Sequence, residues 1–258
     1  MTIAKSTKAA LLSLVATCAL AACGGGGDGG GTAATPFPVQ GGWEGTATTG
    51  EVVQAIVLED GTLWAIAGPS SGGSFYPSDL YQGTLQATNG SLSSSNLRGY
   101  DFSTGAAISG SISGSYVAGT SMSLTATPAG SGSGIGVNVI AAQTANYDYN
   151  QAAQLAAIAG SWPGFFSSSE SGTVSVQSNG SFSATTSRGC QITGTAAARA
   201  SGKNVFNVSL TFGAAPCALP GATGSGIAVI TRSGTTSQLA VAVTTPDRAF
   251  GGAFFGRR

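Results

Sequence analysis

The chain of 258 residues contains no histidine, and its ten Lys plus Arg and ten Asp plus Glu make only 8% of it charged, about a third of the share usual in soluble domains. The missing imidazole removes Ser-His-Asp and Cys-His catalysis and every His-ligated metal site, because each needs a ring nitrogen that titrates near neutrality or donates a lone pair. Sparse, balanced charge removes the basic stripe that neutralising a phosphate backbone requires, so nucleic acid is not an expected partner. What is abundant is glycine, at 41 residues, set among Ser and a 42% apolar fraction. That fraction is enough to bury a sizeable core in one large or two small domains.

Lys5 and Lys8 precede an apolar run from Ala9 to Ala22, the charged n-region and short h-region of a secretory signal peptide. The run is too short to span a bilayer stably. It ends in Leu20-Ala21-Ala22-Cys23, which resembles the lipobox of bacterial lipoproteins; the alternative is an ordinary cleaved signal beside an incidental Cys. The resemblance implies that Cys23 becomes the first residue of the mature chain and carries diacylglyceryl and palmitate-type acyl chains, which exceed the two signals needed for stable anchoring. Gly24, rather than Asp, after the lipidated Cys implies export to the outer membrane, on its surface or its periplasmic face.

Removing residues 1–22 takes away Lys5, Lys8 and Cys18 and leaves the remainder mildly acidic. With Cys23 consumed by lipid, Cys190 and Cys217 are the remaining thiols. An exported compartment favours pairing them as a disulfide, which would restrict the unfolded chain by about 3–4 kcal/mol. A reactive or metal-binding thiol pair is the alternative, but no CxxC spacing or nearby cation supports it. Residues 24–35 read GGGGDGGGTAAT and Pro36-Phe37-Pro38 follow, a flexible leash with an r.m.s. span of about 20 Å and a stiffer entry.

Beyond the leash the apolar residues alternate. Val174 and Val176, then Phe182 and Ala184 across Asn179-Gly180, read as a hairpin. Phe206, Val208, Leu210 and Phe212 alternate with Asn207, Ser209 and Thr211, one face packed and one wet. Repeated strands between turn residues predict an all-β chain of antiparallel barrels or sandwiches. Residues 150–160 are the exception: helix formers lie between Asn150 as a cap and Gly160 as a stop, which predicts two or three helical turns packed through Leu155 and Ile158. Tyr147 and Tyr149 beside them are expected at an interface between halves, and Phe165 and Phe166 in a core.

Gly41-Gly42-Trp43-Glu44-Gly45 and Gly160-Ser161-Trp162-Pro163-Gly164 form a short internal repeat, as do the Gly-Ser-Gly-Ile runs ending at Ile135 and Ile227. Short matches in a Gly-rich chain also arise by chance, so one continuous β structure is the competing reading. The favoured division is a signal peptide at 1–22, a lipidated tether at 23–38, a first small barrel of about eight strands at 39–147, a helical connector at 148–160 and a second such barrel at 161–258. Gly-x-Trp resembles the opening motif of lipocalins and related barrels, which implies an Arg from the last strand over the indole; Arg257 or Arg258 is placed to serve Trp162, and none is evident for Trp43. The leash and paired barrels are similar in layout to factor-H-binding and transferrin-binding surface lipoproteins. The stretches Ala153 to Trp162, Gly189-Cys190 and Phe206 to Cys217 resemble a group of proteobacterial lipoproteins of unassigned function, which implies the domain split and the Cys190–Cys217 disulfide but no activity.

Catalytic candidates are few. Gly68-Pro69-Ser70-Ser71-Gly72 fits the GxSxG spacing but lacks the His that a nucleophile elbow needs. Lys203 reads as a hairpin tip rather than half of a Ser-Lys dyad. Two of the scattered carboxylates could still meet as an acid and base pair, and no Asp-rich calcium loop is present. No metal or cofactor is expected. The loop carrying Phe75, Tyr76 and Tyr81 is the candidate contact loop, although Tyr81 could instead tuck inward. The functional expectation is a non-enzymatic lipoprotein anchored to a bilayer through Cys23, binding an unidentified protein or envelope partner. The alternative is a carrier holding a small apolar molecule in a barrel whose inward Gly, Ala and Ser leave a cavity.

Overall fold

Alternation of small polar and apolar residues does here what it does in any half-wetted strand: Phe206, Val208 and Leu210 are buried and Asn207, Ser209 and Thr211 between them are exposed. The computed structural model describes residues 36–71, 74–167 and 169–258. The signal segment, Cys23 and the tether as far as Thr35 lie outside the described residues. Phe37, placed in the tether by sequence, already packs against the first barrel's core, and Val39 beside it is fully buried.

Nineteen strands and one helical turn follow in order among the described residues. The first half contains β1 (Gly41–Ala47), β2 (Val52–Val57), β3 (Thr62–Gly68), β4 (Ser70–Ser71), β5 (Ser74–Phe75), β6 (Asp79–Thr84), β7 (Gln86–Thr88), β8 (Ser91–Asp101), β9 (Ala107–Val117), β10 (Ser121–Pro128) and β11 (Ile135–Ala141). Each main strand pairs antiparallel with its neighbour in sequence. The long β8 closes the ring because it pairs with β6 from Asp79↔Asp101 to Gln82↔Arg98 and with β7 around Ala87↔Leu92, the bend falling near a register shift between Ser94 and Leu97. After α1 (Leu155–Ile158) come β12 (Gly160–Phe166), β13 (Ser171–Val176), β14 (Ser181–Thr186), β15 (Gln191–Ala198), β16 (Phe206–Phe212), β17 (Thr223–Ser233), β18 (Thr236–Thr244) and β19 (Gly251–Arg257). They form a second closed barrel in the same up-and-down order. Among the described residues, closure pairs the main strands of each ring on both sides, and the short β7 pairs with β8 alone.

Two departures from the sequence expectations have clear causes. The helix is one turn rather than two or three, and its cap position is Gln154, with no side-chain bond, rather than Asn150. Asn150 is engaged elsewhere, accepting from Lys203 Nζ at 2.9 Å. The residues around it are held in a turn and loop: the Ala153 N–H donates to the Lys203 carbonyl and the Asn204 N–H to that of Tyr149. At the other end the chain leaves α1 at once, because Gly160, at φ 114°, already begins β12. Secondly, Phe165 is 64% exposed while Phe166 packs against the second core, since consecutive residues of a strand face opposite sides.

Each barrel has its own apolar core, and a third cluster joins them. Ile56, Trp64, Ile66 and Leu80 from the first barrel's outer face meet Ile227 and Val229 from the second, with Tyr147 and Tyr149 of the connector between. Ion pairs and hydrogen bonds fasten this seam at two places. Arg199 Nε lies 2.7 Å from Glu59 Oε1 and its Nη2 3.0 Å from Asp60 Oδ2. Arg248, on the β18–β19 turn, donates through Nη2 to the carbonyls of Gln82 and Asn96, and Tyr100 Oη donates to the Arg248 carbonyl at 3.0 Å.

Candidate functional site

The two barrels open with the same construction. Trp43 Nε1 donates to the Val39 carbonyl at 2.9 Å and Trp162 Nε1 to that of Ile158 at 2.7 Å, and both indoles are buried. A methyl group on Gly45 would run into the Asn138 carbonyl, and one on Gly164 into that of Phe255. In each barrel, therefore, a glycine lets the first strand approach the last closely enough to close the ring. The equivalence extends at one constant sequence spacing through Glu51 and Glu170, Val57 and Val176, Gly61 and Gly180, and Ala65 and Ala184. Spacing over this whole stretch was a signal available in the sequence beyond the Gly-x-Trp match.

The ends differ. Arg258 lies with its guanidinium carbon 3.9 Å from the centroid of the Trp162 ring, while Nη1 and Nη2 donate to the carbonyls of Ala159 and Ala157, each at 2.7 Å. One arginine thus stacks on the indole and satisfies two carbonyls that a single helical turn leaves without partners. Trp43 has no such cation over it among the described residues. Together α1, Trp162 and Arg258 shut one end of the second barrel.

Behind that closed end the second lumen is partly hollow. Its cavity measures about 280 Å³, between Val174, Ala184, Ile192, Val208 and Leu239. The small side chains of Ala184, Ala196 and Ala228 lie where larger ones would fill the space. The opposite end forms a mouth, bordered by Phe166, Glu170, Arg188, Pro216, Leu219 and Phe250. Cys190 and Cys217 are bonded to each other with Cα atoms 4.5 Å apart, and this bond pins the β16–β17 loop, which carries Pro216 and Leu219, against the start of β15.

A larger hollow of about 400 Å³ lies in the seam between the barrels, where Trp64, Phe75 and Phe255 give way to Gln238, Arg232 and Arg257 at the edge. The lumen is the candidate site because its walls come from one closed ring and are mostly apolar, the polar lining residues being Ser167, Glu170, Thr186, Arg188, Thr244 and Thr245. The seam hollow instead runs from the buried apolar residues that join the two rings out to the exposed Arg232 and Arg257.

The loop aromatics are not brought together. Phe75 packs against the seam and Tyr81 against the first core, while Tyr76 is 56% exposed. Burial, helped by the charges of Asp79, Glu51 and Asp101, pushes the Tyr81 hydroxyl up to about 12. Burial also holds Asp79 above the usual carboxylate range, against a 2.7 Å hydrogen bond from Ser78 Oγ and with help from the charges of Glu51 and Asp101. Ser70 of the GxSxG spacing lies in β4, with no helix following. Lys203 is held by Asn150 and lies 5.3 Å above the Tyr149 ring. Among the described residues no group of three His, Cys, Asp or Glu is placed to hold a metal ion.

Neither a family model nor a curated protein matches the chain. Among solved structures, a Bacteroides fragilis protein provisionally described as an outer membrane protein aligns over 86% of this chain and 97% of its own, with 11% identity and a TM-score of 0.26. A protein of unknown function from the DUF3598 family of Nostoc punctiforme aligns over 84% and 94%, with 10% identity and a TM-score of 0.25. Scores this low establish neither a shared fold nor a shared role.

Proposed function

We propose that this chain is a lipid-anchored, non-enzymatic binding protein of a bacterial envelope, tethered to the outer membrane through acylated Cys23, and that its second barrel carries a small apolar ligand. The observation that carries the ligand reading is the apolar lumen of about 280 Å³, closed at one end by Trp162 and Arg258 and open at the other. Its size lies near the lower end of ligand pockets, which run from about 300 Å³ upward, so the cargo is a single short chain or a small ring rather than a two-chain lipid. Anchoring rests on Lys5, Lys8, the apolar run and the Leu20-Ala21-Ala22-Cys23 motif. A protein partner at the Phe75–Tyr81 loop has less in its favour, since two of its three aromatics turn inward.

Two experiments test the two halves of this reading. Cys23→Ser should move the protein from the membrane fraction to the soluble one and abolish incorporation of labelled palmitate; a variant that stays acylated and membrane-bound contradicts the anchor. Native mass spectrometry of the purified protein should show an added mass that organic extraction removes. A chain that is ligand-free as isolated and takes up no apolar probe afterwards contradicts the carrier reading.

A further inference from the structure

The lining of the second barrel's lumen carries two opposite charges, Glu170 and Arg188, beside a few hydroxyls. Glu170 lies immediately before β13 and Arg188 in the turn after β14, and the Ser187 N–H, donating to the Ser171 carbonyl at 2.7 Å, holds these two stretches side by side. Both side chains line the cavity. Among the described residues they form no ion pair with each other, the ion pairs being those of Arg199. Glu170 Oε2 is buried and has no hydrogen-bond partner. The hydroxyls that line the cavity do not supply one: Ser167 Oγ accepts from the Ala253 N–H, Thr186 Oγ1 accepts from that of Cys190, Thr245 Oγ1 donates to Asp247, and none of them hydrogen-bonds Glu170 Oε2. A buried carboxylate oxygen without a donor is costly, and a ligand head is the group placed to supply one.

From this juxtaposition we propose that the cargo of the second barrel is a single short apolar chain ending in a neutral head that both donates and accepts hydrogen bonds, a hydroxyl or a primary amide. The inference rests on the lumen being the ligand site. A neutral head donates to Glu170 and accepts from Arg188. A carboxylate head gains Arg188 but is repelled by Glu170, and an ammonium head gains Glu170 but is repelled by Arg188. Specificity therefore comes from penalties on both ions as much as from attraction to the neutral form.

The test uses the mature chain with Cys23→Ser, so that no detergent competes for the lumen, and measures displacement of an apolar fluorophore by octanol, octanamide, octanoate and octylamine. Octanol and octanamide should bind about tenfold or more tighter than either ion, the scale of one hydrogen bond to a charged group. Arg188→Gln should then strengthen octylamine selectively, and Glu170→Gln should strengthen octanoate selectively. Equal binding of all four probes, or a ranking that neither substitution moves, overturns the assignment of the head while leaving the lumen as a site. Failure of the fluorophore and every probe to bind overturns the lumen itself and this assignment with it.

Discussion

Arg258 combines three contacts in one side chain: its plane covers the Trp162 ring and its two terminal nitrogens reach the carbonyls of Ala157 and Ala159. Replacing it by Ala removes a cation–π contact worth about 0.5–1 kcal/mol at an exposed site and two hydrogen bonds, so Arg258→Ala should lower stability by about 1–2 kcal/mol in urea unfolding. Arg258→Lys should recover only part of this, because an ammonium cannot stack and bridge two carbonyls together. The Arg199 clamp makes a pH prediction. Burial tends to raise Glu59 and Asp60, but hydrogen bonds to their own turn and the Arg199 guanidinium outweigh it and hold both below their ordinary values. A carboxylate lowered by folding stabilises the native state above its unfolded pKa, and the benefit is lost as pH falls through the lowered value. The pairs are partly solvated, so the clamp contributes about 0.5–1 kcal/mol. Arg199→Ala should therefore cost about that much at pH 7 and almost nothing near pH 2; a cost unchanged by acid contradicts the clamp.

At the scale of elements, the strands were legible because a period of two survives in small residues: β13, β14 and β16 lie where Val174, Ala184 and Val208 place them. The Arg over Trp162 was implied by the resemblance of Gly-x-Trp to the lipocalin opening, which left Arg257 and Arg258 both open; the structure places Arg258 there. The connector was misread because helix propensity is a weak local term, whereas the Lys203 carbonyl, the Asn204 N–H and the Trp162 indole each demand a particular backbone group from residues 149–160. The Glu170–Arg188 pair could not be read from sequence, since only strand register brings the two turns together. The disulfide closes a separation of 27 residues and so constrains the unfolded chain. Replacing both Cys190 and Cys217 by Ser should lower stability by about 2–4 kcal/mol, read as a reduced urea midpoint. No change in midpoint would show that the closed ring alone fixes the loop.

For the whole molecule, the two rings begin alike and end differently. The first core mixes Trp43, Leu97 and Met122 with Ala47, Ala55, Ala65 and Ala67, and in the second Ala184, Ala196 and Ala228 line the hollow. The seam of aromatic and branched residues, fastened through Arg199 and Arg248, holds the barrels against each other. The most direct test is the affinity of an environment-sensitive apolar fluorophore for the chain and for lumen-filling variants Ala184→Leu and Ala196→Leu. The account predicts saturable binding at one site in the parent chain and its loss in the filled variants, with the barrels still folded by circular dichroism. Fluorophore binding that survives in folded, lumen-filled variants would contradict it.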